Sequence, residues 1–185
     1  MRITTSRLCI RPLRNSDRSE YCRTLADPRV SESLKLPVSP DDQNALSKMF
    51  DDRQKECIAE APSRLAISLQ KTGSFIGSIG SYSIDQERVG LSIWLGSRYQ
   101  GQGIGTEALR AYCLPALDTF GKKYIFANIA STNKASLSLA RAAGFSLSQF
   151  KCDPGFGTVV GRVLLDIDRA RAGVNRKSVS TRGVQ

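Results

Sequence analysis

The sequence predicts a mixed α/β protein with a mainly antiparallel central sheet that is flanked by helices. Three patterns in the 185-residue chain support this fold class. Stretches of alternating apolar and polar residues predict short strands, and apolar residues three or four apart predict helices. A glycine-rich loop at 100–106 joins the third of three consecutive predicted strands to a helix. The predicted order is strand, two or three helices, three strands, helix, strand, helix and two strands.

The first predicted elements are a strand and a helix. Leu8 and Ile10 alternate with polar or small residues, which indicates a strand. The polar segment 15–17 then opens a helix, in which Tyr21 and Leu25 stand one turn apart and which Asp27-Pro28 breaks.

A second helix and three strands follow. Ser39 is expected to cap this helix with Pro40 in its first turn, and the helix should run to about residue 60. Alternating patterns over 65–69, 75–82 and 89–95 predict three strands, the last of which leads into the glycine loop.

The chain after the loop predicts two helices and three strands. Apolar spacing from Ile104 to Phe120 indicates a helix that Gly121 closes. The nearly apolar stretch 124–129 is typical of a strand buried on both faces. Asn133 is expected to cap a short helix that ends at Gly144, and segments 145–152 and 159–167 predict a final antiparallel pair.

Residue composition excludes several kinds of chemistry. The chain has no histidine, so Ser-His-Asp and Cys-His hydrolase sites and histidine metal sites are excluded. Its five cysteines contain no CxxC pair, and we expect small buried residues rather than disulfides or a zinc site. Any general base must therefore be a carboxylate, a tyrosine, a cysteine or a positioned water molecule.

Charge and length suggest one basic domain with a tail. The net charge is +10, and five of the basic residues lie in 169–185, where there is no acid. We expect 1–168 to form the domain and 169–185 to be a disordered basic tail. The N-terminus has no apolar signal-peptide centre, and no apolar run reaches the roughly 20 residues of a membrane span. The protein is therefore expected to be cytoplasmic, without a membrane partner.

The glycine loop has the character of an anion site. The first turn of a helix leaves backbone N–H groups without partners and carries the positive end of the helix dipole. Glycines let a phosphate approach the backbone closely. The P-loop pattern fails because no lysine follows the glycines, and the dinucleotide fingerprint fails because Thr106 or Ala108 stands where its third glycine belongs. From the loop alone, a turn without a ligand stays open.

Three motifs in order resemble the GNAT superfamily of acetyltransferases over about residues 3–168. The loop 100–105 matches the superfamily's acyl-CoA signature, Q/R-x-x-G-x-G/A. Asn133 and Ser136 match its N-x-x-S, followed by Gly144-Phe145 at the next strand. The N-terminal segment 5–13 resembles the branch that acetylates N-termini of ribosomal proteins, as does the Ile-Trp-Leu stretch just before the loop.

The resemblance implies a GNAT fold, acetyl-CoA as donor and specific site residues. Loop amides would bind the CoA pyrophosphate, the strand backbone would pair with the pantetheine arm, and Asn133 would line the arm. The residues so implied are Ile93, Trp94, Leu95, Gln100 at the rim, Gln102, Gly103, Ile104, Gly105, Thr106 and Asn133. A fixed strand N–H would polarise the thioester carbonyl.

The catalytic residues are predicted less directly. The branch resembled uses the serine of N-x-x-S to protonate the leaving thiolate, which implies Ser136 as acid, although a solvent-facing or helix-supporting serine is the alternative. The superfamily's glutamate before the loop is missing from 89–92. Asp153 is a candidate base that is equally well explained as a turn residue, and deprotonation through water is the alternative to it.

Three functions fit these patterns. The first is an acetyl-CoA-dependent N-acetyltransferase that acts on a primary amine, favouring a protein N-terminus that could be ribosomal over a small amine. The second, kept open by the missing glutamate, is a non-catalytic acyl-CoA sensor on the same fold. The third is a ribosome-associated protein that binds RNA through its tail, but no aromatic RNA-binding motif supports nucleic acid as a partner. No metal is expected, and monomer and homodimer both stay open.

Overall fold

The computed structural model describes residues 1–34, 36–58, 64–84, 86–153 and 158–166. This part of the chain confirms the mixed α/β fold with a mainly antiparallel sheet. The strands are β1 (Ile3–Thr4), β2 (Leu8–Arg11), β3 (Arg64–Leu69), β4 (Phe75–Ile84), β5 (Arg88–Leu95), β6 (Tyr124–Ala130), β7 (Ser146–Asp153) and β8 (Thr158–Asp166). The helices are α1 (Arg18–Ala26), α2 (Pro28–Leu34), α3 (Gln43–Ile58), α4 (Ile104–Phe120) and α5 (Lys134–Ala143).

The chain forms two compact units, and the segments of the two units alternate along the sequence. The first unit holds the described residues of 1–82 and 91–112, and the second holds those of 83–90 and 113–166. The predicted tail at 169–185 lies outside the described residues. Strand β5 and helix α4 each contribute residues to both units.

In the first unit, strands β1 to β4 are neighbours in chain order, and the described registers of β1–β2, β2–β3 and β3–β4 are antiparallel. Residues of α1, α2 and α3 pack with the strands in one apolar cluster that includes Leu25, Leu46 and Phe50. Tyr21 lies at the centre of its aromatic part, with ring centroids 5.2 Å from Phe50 and 5.5 Å from Trp94. This packing gives the unit the helix-on-sheet layering that the sequence order predicts.

Strand β2 is buried along its whole length, on both faces. Arg11 is only 4% exposed because its guanidinium donates two hydrogen bonds to the carboxylate of Asp17, at 2.7 and 2.9 Å. Asp17 also accepts a bond from the backbone N–H of Arg14. The pairing satisfies both buried charges, although alternation along β2 alone would have placed Arg11 in solvent.

The start of α3 differs from the prediction. The helix begins at Gln43, and its cap is Asp42, whose carboxylate accepts a 2.9 Å hydrogen bond from the N–H of Ala45. Ser39 lies in a preceding turn, where its carbonyl accepts from the N–H of Asp42. The prediction of Ser39 as cap was wrong because Asp42 offers the same chemistry three residues later, next to the apolar face that begins at Leu46.

In the second unit the strand order is β5, β6, β8, β7. The first residues of β5, Arg88–Gly90, pair in parallel with Tyr124–Phe126 of β6. Strands β7 and β8 form the predicted antiparallel pair, but β8 lies between β7 and β6. Ala127 and Asn128 of β6 are only half-buried. The prediction of burial on both faces was therefore wrong for this part of the strand.

Two further observations bear on function. The described part of the chain has no helix long and apolar enough to cross a membrane. Cys9, Cys22 and Cys113 are buried, as the sequence predicts, while the side chains of Cys57 and Cys152 lie outside the described residues.

Candidate functional site

The glycine loop is held in the first unit by contacts at both ends. Where β5 ends, the N–H of Gly96 donates to the carbonyl of Ile76 at 2.9 Å. A 3₁₀ turn over Ser97–Tyr99 follows, and the hydroxyl of Ser97 donates to the carboxylate of Asp27 at 2.6 Å. Gln100, predicted at the rim of the site, is exposed, and its side-chain amide donates to the carbonyl of Leu95. Gln100 therefore ties the loop to the strand that precedes it.

The loop turns directly into the start of α4. Gly101 and Gly103 have φ of 72° and 73°, in the left-handed region that glycine adopts without strain. Gly103 accepts the first helical bond, from the N–H of Glu107 at 3.1 Å. Among the described residues, no acceptor bonds the N–H groups of Ile104, Gly105 and Thr106. These amides at the positive end of the helix dipole form a site that suits an anion.

An arginine from the N-terminal segment stands beside this loop. The Nη1 of Arg7 donates to the carbonyl of Gln102 at 3.0 Å, and its Nε donates to the carboxylate of Glu107 at 2.6 Å. Its Nη2 lies 3.7 Å from where a Cβ on Gly103 would be. The guanidinium thus stands beside the three helix amides, and its positive charge is partly offset by the carboxylate of Glu107.

Glu107 fixes the position of Arg7. One carboxylate oxygen of Glu107 accepts bonds from the hydroxyls of Thr5 and Ser6, at 2.5 and 3.3 Å, and from the backbone N–H of Arg7. Burial alone would raise the pKa of Glu107, but the hydrogen bonds from Thr5 and Arg7 outweigh it and hold the pKa below its ordinary value. Glu107 is therefore ionised at neutral pH and orients the cation next to the loop.

Sequence reasoning missed Arg7, Thr5 and Glu107 as site residues. Thr5 and Arg7 are only parts of the N-terminal resemblance, and Glu107 lies two residues past the signature at 100–105. The signal available in the sequence was a basic residue in the N-terminal motif and an acidic residue just past the glycine-loop signature, two motifs that resemble the same family. About 100 residues of chain separate its members, so only the fold brings them together.

The end of β5 has the features expected of a strand that offers its backbone to a ligand. Its described parallel register with β6 covers Arg88–Gly90 and does not continue to 91–95. On the side of β4, Gly77 approaches so closely that a Cβ there would overlap the carbonyl oxygen of Trp94. Ile93 and Trp94 are half-buried and Leu95 is buried. The predicted strand residues and loop are thus brought together in one unit.

Asn133 and Ser136 lie in the second unit, at the start of α5. The side-chain oxygen of Asn133 accepts a 3.0 Å hydrogen bond from the N–H of Ser136, so Asn133 caps the helix as predicted. Both residues are half-buried. Asp153 ends β7, where its backbone pairs with Thr158, and its side chain lies outside the described residues.

Tyr21 and Cys113 are protonated at neutral pH and are therefore poor proton acceptors. Burial raises the pKa of Tyr21 to about 12 and that of Cys113 to about 12. In the part of the chain that the structure describes, no three histidine, cysteine, aspartate or glutamate residues cluster as they would around a metal ion.

These features together form a site that suits an anionic ligand where β5 passes into α4. A family model described as an acetyltransferase (GNAT) domain matches residues 7–146. The chain therefore belongs to the GNAT acetyltransferase family, as its motifs indicated, and is an acetyltransferase of a family that uses acetyl-CoA as donor. No curated protein sequence matches it.

Solved structures share the fold at low sequence identity. A GNAT-family acetyltransferase from Bacillus anthracis superposes with a TM-score of 0.77 at 15% identity, covering 91% of this chain and 99% of that one. RimL, a ribosomal α-N-protein acetyltransferase in complex with coenzyme A, gives 0.75 at 18%, covering 91% and 99%. The microcin self-immunity acetyltransferase MccE, in complex with acetyl-CoA and AMP, gives 0.72 at 17%, covering 88% and 94%. At these identities the likeness shows the fold alone.

Proposed function

We propose that this acetyltransferase moves an acetyl group from acetyl-CoA to the α-amino group of a protein or peptide N-terminus, by direct attack in a ternary complex. The observation that carries the proposal is the start of α4. Its amides at Ile104, Gly105 and Thr106, among the described residues, have no protein acceptor. The N-terminal motif at 5–13 favours a peptide over a small amine, and so does the fold shared with RimL.

The first unit supplies what a CoA diphosphate requires. Three helix amides and the Arg7 guanidinium offer hydrogen bonds and positive charge, and the glycines leave room for the ligand. When bound, acetyl-CoA supplies the acetyl thioester. The open backbone edge of β5 at 93–95 would hold the pantetheine arm and direct an N–H at the thioester carbonyl, where negative charge develops.

Proton transfer places modest demands on the protein. A protein α-amino group has a pKa of about 7.7–8.0, so a sizeable fraction is neutral at physiological pH. Water can therefore take the proton. Asp153 stays a candidate base. In the proposed mechanism Ser136 protonates the leaving thiolate through its hydroxyl, while Asn133 keeps its capping role.

The test is a thiol-release assay with acetyl-CoA and a panel of acceptors. The panel contains short peptides with free N-termini, the same peptides with N-acetyl groups, and small amines. Turnover with the free peptides, none with the blocked ones and weak turnover with small amines is expected. Turnover of small amines alone would contradict the peptide assignment. Tight CoA binding with no acceptor-stimulated release would indicate a non-catalytic acyl-CoA-binding protein.

A further inference from the structure

The first unit contains a cavity whose described lining includes no residue of the glycine loop at 100–106. Its volume is about 190 Å³, which is room for several water molecules or one amino-acid side chain. Its apolar wall comes mainly from α1, α2, α3 and the turn after α2, and includes Tyr21, Leu34 and Met49. Ser78, Ser92 and Trp94 of β4 and β5 form the sheet side.

Two arginines line this cavity, and none of its described lining residues is acidic. Arg53 comes from α3 and Arg64 from the first position of β3. The Nη1 of Arg64 donates to the hydroxyl of Ser92 at 3.1 Å, which directs this guanidinium to β5. Burial, and after it the neighbouring Arg53, lower the pKa of Arg64, whereas Tyr21 and Glu56 act in the opposite direction. The two cations therefore act on the same small volume.

Arg53 also contacts a carboxylate outside the cavity lining. Its Nη1 donates to both oxygens of Glu56, at 2.8 and 3.0 Å, one helical turn along α3. The two side chains are 32% and 39% exposed, and ion pairs this accessible contribute little to stability. Arg53 can therefore share its guanidinium with a carboxylate that enters the cavity.

The location relates the cavity to the reaction. Ser92 and Trp94 alternate with Ile93 and Leu95 on β5, so their side chains reach the cavity while the backbone of 93–95 is the proposed contact for the pantetheine arm. An acceptor in the cavity would have its amine next to that backbone. A positively charged group is disfavoured beside two arginines, whereas a carboxylate is favoured.

Resting on the proposed function, we propose that the cavity holds the acceptor and that Arg53 and Arg64 select acceptors with a carboxylate close to the reacting amine. The shared chemistry is a primary amine with a nearby carboxylate. It could come from an acidic side chain near a peptide N-terminus or from the α-carboxylate of a free amino acid.

Two matched acceptor pairs test the selection and distinguish its source. The first pair is a serine-initiated tetrapeptide with either glutamate or glutamine at its second position and an amidated C-terminus. The second pair is free serine and serine amide. We expect kcat/KM, expressed per concentration of neutral amine, to be on the order of tenfold higher for the carboxylate member of at least one pair. Equal values in both pairs, with turnover intact, would overturn the selection and leave the proposed function standing.

Variants link the preference to the two arginines. Arg53→Gln keeps a polar side chain on a half-exposed helix face, and Arg64→Lys keeps the charge but loses the planar fork. In each variant, the ratio of kcat/KM between the carboxylate acceptor and its neutral counterpart should fall from about tenfold to below about threefold. Lys55→Gln is the matched control, since Lys55 is exposed on the same helix and does not line the cavity, and it should keep the parental preference. A preference that survives both arginine variants would refute the assignment.

A direct binding measurement tests the selection of a carboxylate by the cavity even if the protein shows no turnover. Trp94 is the sole tryptophan of the chain and lines the cavity, so its fluorescence reports on an occupant. Titration with the N-acetylated forms of the two tetrapeptides should give a saturable change for the glutamate peptide at concentrations about tenfold lower than for the glutamine peptide. The same response to both would overturn the inference. A clear difference without catalysis would instead count against the proposed function.

Discussion

The strongest prediction concerns Gly103, which caps α4 and faces the proposed diphosphate site. A glutamate at this position must adopt a φ of 73°, which costs a residue with a side chain about 1–2 kcal/mol. Its Cβ itself has room, because the nearest atom is Nη2 of Arg7 at 3.7 Å. The new carboxylate would therefore lie beside Arg7 and the free helix amides, in place of the ligand's phosphate.

The electrostatic cost sets the expected loss of affinity. Two like charges about 4 Å apart at an effective dielectric constant near 20 repel by about 4 kcal/mol. The affinity of Gly103→Glu for CoA should therefore fall on the order of a thousandfold. Gly103→Ala has the same backbone strain with and without ligand, so its stability should fall by about 1–2 kcal/mol. It adds no charge, so its affinity for CoA should fall much less than that of Gly103→Glu, and only through the room that its Cβ takes from the ligand.

Calorimetric titration with CoA and thermal unfolding separate these effects. Gly101→Ala is the matched control, because Gly101 has a φ of 72° and nothing within 4 Å of its Cβ position. It should lose stability as Gly103→Ala does and keep its affinity. The expected loss of affinity is about a thousandfold. A Kd of Gly103→Glu for CoA within about tenfold of the parent's value would mean that the diphosphate does not lie at this helix start.

Three other measurements test the catalytic and structural reasoning. Ser136→Ala should lower kcat on the order of 100-fold with unchanged CoA affinity, and parental turnover would remove Ser136 from the mechanism. Gly77→Ala should lose about 1–3 kcal/mol in thermal unfolding, because its Cβ would overlap the carbonyl of Trp94; parental stability would mean that β4 and β5 separate easily here. Asp27, whose pKa is held at about 2 by hydrogen bonds from Arg29 and Ser97, should stabilise the fold above about pH 4 and lose that contribution as pH falls toward 2. The stability difference between parent and Asp27→Asn should shrink over this range, and a constant difference would contradict the assignment.

Local sequence signals predicted most of the elements because each depends on neighbouring residues. Alternation indicated the strands at 65–69, 75–82 and 89–95, and the structure has a strand in each place. Gly121 and Gly144 have φ of 61° and 101°, as expected of helix ends. The cap of α3 was misplaced because Ser39 and Asp42 both satisfy the same local rule. Ser131 and Thr132, just before Asn133, also satisfy this rule, but the predicted capping role of Asn133 was confirmed.

The sequence by itself determined the family, because the glycine loop, the N-x-x-S motif and the N-terminal segment are recognisable at their spacing without any contact between them. Only the tertiary structure decided that Arg7 stands beside the loop, that β8 lies between β6 and β7, and that Arg53 and Arg64 line one cavity. The physical reason is the range of the interactions. Caps, turns and periodicity act over a few residues, whereas the contact of Arg7 with Glu107 spans 100 positions and forms only when the whole unit packs.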